Sequence, residues 1–179
     1  MRRITGVLFA AAVAVIASAH ATVAPTTSRP GAYERYLLRV PNESDNATVK
    51  VEITFPDDMR VISFADVPGW TLQARMDSTG RAVSATWTGS LPPERFVEFP
   101  FIGVNPKQRS RVSWPVMQTY ANGQVVRWTG PEGSDSPASV TTIGASRSWT
   151  GWLPTALSVV ALMLAIAVVS RSRTRRVVA

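Results

Sequence analysis

The 179-residue chain has no cysteine and only one histidine, His20. Without cysteine there can be no disulfide, thiolate zinc, iron–sulfur cluster or type-1 blue-copper site. A domain of this composition must be held by its core alone, and about 125 residues between the two chain ends are enough to build one. One histidine also removes most of the catalytic repertoire. A Ser-His-Asp triad would have to rest on His20, and no GxSxG, HExxH, GxGxxG or phosphate-loop pattern occurs. Acidic pairs such as Asp57/Asp58 and Glu94/Glu98 read as turn and exposed-strand residues, not as paired glycosidase acids. The five methionines do not cluster, which argues against a methionine-rich copper(I) site.

What is present sits first at the two ends. Met1-Arg2-Arg3 followed by the apolar run from Val7 to Ile16 has the layout of a secretory signal, and the run is too short to span a bilayer. Residues 152–170 form a second apolar segment, long enough to span and without a charge. Trp149 and Trp152 lie at its outer edge, and Arg171, Arg173, Arg175 and Arg176 follow it, so the positive-inside rule puts residues 171–179 in the cytoplasm. No LPxTG sorting signal precedes it. The formal charge of +7 is therefore a matter of topology: outside the signal and the tail, thirteen basic residues face twelve acidic ones. That balance does not call for a nucleic acid partner.

Between these ends the chain alternates polar and apolar residues with period two. The expected strands are Tyr33–Val40, Thr48–Phe55, Arg60–Phe64, Trp70–Met76, Val83–Thr88, Arg95–Val104, Arg109–Tyr120, Val125–Thr129 and Ser139–Ile143. Such strands, punctuated by Gly, Pro, Asn and Asp, predict an all-β, antiparallel sandwich of immunoglobulin/cupredoxin-like type. Trp70, Trp87 and Trp114 fall on core faces. Asn122-Gly123 predicts a type I′ hairpin, and Pro115 an edge or bulge within its strand. The sequons at Asn42 and Asn46 read as a polar turn. The expected division is signal peptide 1–19, domain 20–129, linker 130–151 with room for a terminal strand, transmembrane helix 152–170 and tail 171–179.

His20 gains its interest from its position. Ala17-Ser18-Ala19 suits a signal peptidase, and cleavage after Ala19 would make His20 the first residue of the mature protein. Its α-amine and ring Nδ1 could then chelate one metal ion. A free amine titrates at roughly 7.7–8.0, low enough for a metal to displace its proton near neutral pH. Nitrogen ligands of this kind suit copper(II). Ala19-His20-Ala21 is itself an A-x-A pattern, and cleavage after Ala21 would discard the histidine.

The run His20-Ala21-Thr22-Val23-Ala24-Pro25, followed by Gly31-Ala32-Tyr33-Glu34-Arg35-Tyr36, resembles the H-x-T-V-x-P…G-x-x-E-x-Y opening of the YcnI-like copper-binding domain family. Pro68-Gly69-Trp70, Gln118-Thr119-Tyr120, Asn122-Gly123 and Val126-Arg127-Trp128 are similar to later landmarks of that family. The resemblance implies a β-sandwich that binds copper(II) through a single-histidine brace. His20 would supply amine and Nδ1, Glu34 the carboxylate, and Trp128 an indole against the metal. It further implies a copper-transport membrane protein or a copper chaperone as partner. The family usually has a larger apolar residue where this chain has Ala21.

Three functions compete at this point. The first is an extracytoplasmic, membrane-anchored copper(II)-binding protein, not an enzyme, in copper acquisition or trafficking. The second is a metal-free cell-surface adhesion or assembly module. The third is a copper-dependent oxidative enzyme, which the absence of a second histidine disfavours, because the polysaccharide monooxygenase brace uses two.

Overall fold

The computed structural model of the chain describes residues 20–144. The expected signal peptide, transmembrane helix and basic tail lie outside the described residues. Among the described residues no helix is long and apolar enough to cross a membrane.

The described residues form twelve strands: β1 (Thr22–Ala24), β2 (Thr27–Ser28), β3 (Tyr33–Asn42), β4 (Thr48–Thr54), β5 (Arg60–Phe64), β6 (Thr71–Met76), β7 (Ala82–Leu91), β8 (Arg95–Val104), β9 (Ser110–Trp114), β10 (Val116–Tyr120), β11 (Val125–Trp128) and β12 (Ser139–Ile143). Two sheets make the sandwich, one in the order β1-β3-β8-β5 and the other β11-β10-β4-β7-β6. A smaller sheet, β2-β12-β9, closes one flank. Pairing within the two large sheets is antiparallel, and β12 runs parallel to β2. The cupredoxin alternative is corrected, because the described strands close into no barrel: each large sheet ends in two edge strands, as an immunoglobulin-like sandwich does.

Alternation put the core where it is found. On β3, Tyr36, Leu38 and Val40 point inward, and Phe99 and Phe101 do so on β8. Trp87 of β7 stacks on Phe99 across the sandwich at 4.5 Å between ring centroids. Trp114 of β9 leans on Tyr36 at 4.9 Å, and its indole N–H donates to Thr141 Oγ1 at 3.0 Å. A buried indole N–H needs such an acceptor.

Four local expectations change. The strand expected over Arg109–Tyr120 is two strands. Pro115 lacks an N–H to continue a ladder, and there the chain leaves β12 and crosses to β4. The apolar face expected on Trp70–Met76 is mostly exposed, with Met76 54% accessible, because β6 is an edge strand. Asn122-Gly123 is not a type I′ turn. Gly123 alone has positive φ (84°), and the bonds Gly123 N→Tyr120 O and Tyr120 N→Gln124 O define a longer hairpin loop with glycine in the left-handed position. Finally, β12 lies inside the expected linker yet pairs with β9 and β2, so the domain reaches Ile143.

Val67-Pro68-Gly69-Trp70 closes with Trp70 N→Val67 O at 3.0 Å, Gly69 taking φ 80° as a type II turn requires. This lays the Trp70 ring over Gly89, where an added Cβ would come within 2.6 Å of both the ring and the Gly69 carbonyl oxygen. Gly89→Ala should therefore cost about 1–3 kcal/mol, the usual range for overpacking, read as a lower urea midpoint at unchanged slope.

Candidate metal centre

His20 is the first described residue and is half-buried. Two residues on, Thr22 enters the ladder Thr22↔Arg39, Val23↔Leu38, Ala24↔Leu37. Ala21 and Val23 point into the core, 2% and 1% exposed. Further support for β1 comes from β12, where Ser139 Oγ accepts from Val23 N–H at 2.9 Å and Thr141 Oγ1 donates to the Pro25 carbonyl at 2.8 Å. The histidine is thus placed by a strand tied on both sides.

Trp128 lies at the end of β11. Its ring lies edge-on to the His20 imidazole, 5.3 Å between centroids at 62°. It is 8% exposed, and its N–H donates to Gln118 Oε1 at 3.2 Å. Gln118 is fully buried on β10. Its Nε2 donates to the Pro41 carbonyl and to Thr48 Oγ1, both at 2.8 Å.

The structure does not bring Glu34 to His20. The antiparallel register that sets Ala24 across from Leu37 carries His20 to the level of Pro41 and leaves Glu34 at the other end of β3. Seven residues of extended chain separate the two levels, on the order of 23 Å at about 3.3 Å per residue. There Glu34 accepts from the Ser28 hydroxyl, and Asn105 joins Ser28 to the Tyr36 hydroxyl. Burial, and then the Glu34 charge, push the Tyr36 phenol above its ordinary value. This polar chain ties β2, β3 and the end of β8 together and is remote from the histidine.

The first carboxylate beyond the Pro41 end of β3 is Glu43. Extended two positions beyond Thr22↔Arg39, the register would set His20 at the level of Pro41; Glu43 follows directly after β3, in the loop before β4. Glu43 is exposed. Burial, and then the Glu43 charge, raise the Tyr120 hydroxyl above its ordinary pKa. The loop that carries Glu43 is well tied: Asn42, 1% exposed, donates through Nδ2 to the carbonyls of Asn46 and Leu91, and Ser44 N–H donates to Asn42 Oδ1. An Asn42 amide so engaged is a turn residue, as its sequon was read. The signal that could have found Glu43 is strand pairing, since an N-terminal strand antiparallel to its successor meets the far end of it.

Among the described residues no three His, Cys, Asp or Glu side chains come together as a metal cluster. A brace does not need them, because one of its ligands is a main-chain amine. The nitrogen donor that the structure sets at this edge is the His20 imidazole, beside the Trp128 indole.

A family model described as a domain of unknown function, DUF1775, matches residues 20–143. The chain is 34% identical over 137 residues to the copper-binding protein CutI of Bacillus subtilis (strain 168), covering 75% of this chain and 67% of that one. Among solved structures it is similar to an uncharacterized protein from Nocardia farcinica with an immunoglobulin-like fold. The TM-score is 0.62 at 30% identity, over 70% of this chain and 99% of the other. The match to the family model begins at His20 and ends with β12.

Proposed function

The chain belongs to the DUF1775 family, and from that membership we propose that it is an extracytoplasmic copper(II)-binding protein, not an enzyme, anchored by its C-terminal apolar segment and acting in copper acquisition or trafficking. The observation that carries this reading is the His20 ring against the buried Trp128 indole at the first residue of the domain. Copper(II) supplies the affinity for a chelating amine and imidazole. The protein's part is to hold Nδ1, the amine and the Glu43 carboxylate at one edge of the sandwich and to screen that edge with the indole. Ala21 supports cleavage after Ala19, because a cut after Ala21 would remove a residue buried in the core along with the histidine.

The chain leaves the domain at Gly144, whose N–H donates to the Ser28 carbonyl at 2.9 Å, at the end of the sandwich remote from His20. The partner of this reading is a soluble copper chaperone or the outward part of a copper-transport protein.

The test is processing and binding together. Mass spectrometry of the processed protein should give His20 as the first residue, and titration should reach one copper(II) per chain with two nitrogen couplings in the electron paramagnetic resonance spectrum. A start at Thr22, or no copper(II) bound, would sink the proposal. The carboxylate is tested separately: Glu43→Gln should weaken copper(II) by about 10–100-fold, whereas Glu34→Gln should leave the dissociation constant within about twofold. The reverse order would restore Glu34.

A further inference from the structure

We infer that Gln118 is a positioning residue for the metal site, holding the Trp128 indole and both ends of the Glu43 loop with one side-chain amide. The inference rests on the copper(II) reading above but is drawn from hydrogen bonds outside the proposed ligands. Gln118 is fully buried, so each of its polar atoms must find a partner within the protein. Its orientation is determined by chemistry. The indole N–H can only donate and so must meet Oε1; the Pro41 carbonyl can only accept and so must meet Nε2.

The two hydrogens of Nε2 go to Pro41 O and Thr48 Oγ1, which bracket Asn42 at the end of β3 and the loop 43–47 bearing Glu43. The β1–β3 register, extended two positions beyond Thr22↔Arg39, also points His20 to the level of Pro41. One planar amide therefore sets the distance between the indole on β11 and the carboxylate loop between β3 and β4. An apolar side chain of the same length would fill the volume but leave three groups unpaired, and the indole and the loop would be free to move independently.

The test uses the processed full-length protein, wild type and Gln118→Met. In the copper-free protein, the Trp128 indole N–H should lose at least about tenfold of its hydrogen-exchange protection in Gln118→Met, a readout that needs no metal. Copper(II) binding should weaken by about 10–100-fold, and quenching of tryptophan emission at saturation should change. A core variant distant from the site, Val112→Ala, serves as the control for lost stability; it should keep wild-type copper(II) affinity. In a double-mutant cycle with Trp128→Phe, which removes the donor, the two changes should be non-additive.

Unchanged indole exchange and unchanged affinity in Gln118→Met would overturn the inference. So would additivity in the cycle, or an equal loss of affinity in Val112→Ala. If wild type itself binds no copper(II), the function proposed above fails, and the indole exchange still reports whether Gln118 holds Trp128.

Discussion

Replacing His20 with alanine should reduce copper(II) binding to the processed protein by on the order of a thousandfold, equivalent to about 4 kcal/mol. The variant keeps a free amine at residue 20 and keeps Glu43, so the loss isolates the imidazole and the chelate ring that it closes with the amine. No neighbouring side chain can substitute, because the chain has no other histidine and no cysteine. The fold should tolerate the change. His20 is half-buried at the start of the domain, while the core contacts of that segment belong to Ala21 and Val23. What stability is lost comes from the edge-on contact with Trp128, about 0.5–1.5 kcal/mol for an aromatic pair. Calorimetric titration with copper(II), with a chelator competition to reach tight affinities, measures the first effect and urea unfolding the second. Binding that survives in His20→Ala would place the metal elsewhere.

How much of this was legible in the sequence depended on whether the signal was local. Period-two alternation found Arg60–Phe64, Arg95–Val104 and Ser139–Ile143 to the residue, because each pairs along its length with regular register or a single bulge. Trp87 and Trp114 were read as core and are 1% and 0% exposed. Trp70–Met76 carries the same alternation and is nonetheless mostly exposed, since period reports the pleat and not whether another sheet covers it. β1 and β2 were missed for being three and two residues long on either side of Pro25.

At the site, His20 and Trp128 could be paired only through resemblance, and the structure brings them together. Geometry sets Glu34 apart from His20. A carboxylate fourteen residues along the chain looks near, yet β1 and β3 run antiparallel, so moving forward on β3 from Leu37 brings the chain toward His20 and moving back takes it away. Gln118 carries no charge and no ligand chemistry. Its role is visible only once β10 is placed between β4 and β11.

The largest stability loss should come from Trp114→Ala, about 3–5 kcal/mol by the usual cost of truncating a buried aromatic. Trp114 is fully buried, leans on Tyr36 and meets Phe101 edge-on at 5.7 Å, so its removal opens a cavity where β9, β3 and β8 converge. The hydrogen bond to Thr141 Oγ1 goes with it, although Thr141 keeps its own donation to Pro25. With no disulfide to limit the unfolded chain, and domains of this size stable by roughly 5–15 kcal/mol, the variant forfeits a large share of the total. Its melting temperature should fall by about 10–20 °C. Trp114→Phe keeps a ring against Tyr36 and loses only part of the volume and the N–H, so its fall should be less than half as large. A melting temperature of Trp114→Ala within a few degrees of wild type would show that the junction of β9 with the β3–β8 sheet is not where the domain is held. Copper(II) separates this core from the site. A ligand that binds only the folded state adds RT ln(1 + [L]/Kd) to stability, and Trp114 touches none of the proposed ligands. Saturating copper(II) should therefore raise the stability of Trp114→Phe by the same increment as wild type, while His20→Ala, nearly unchanged in its copper-free melting, should gain almost nothing.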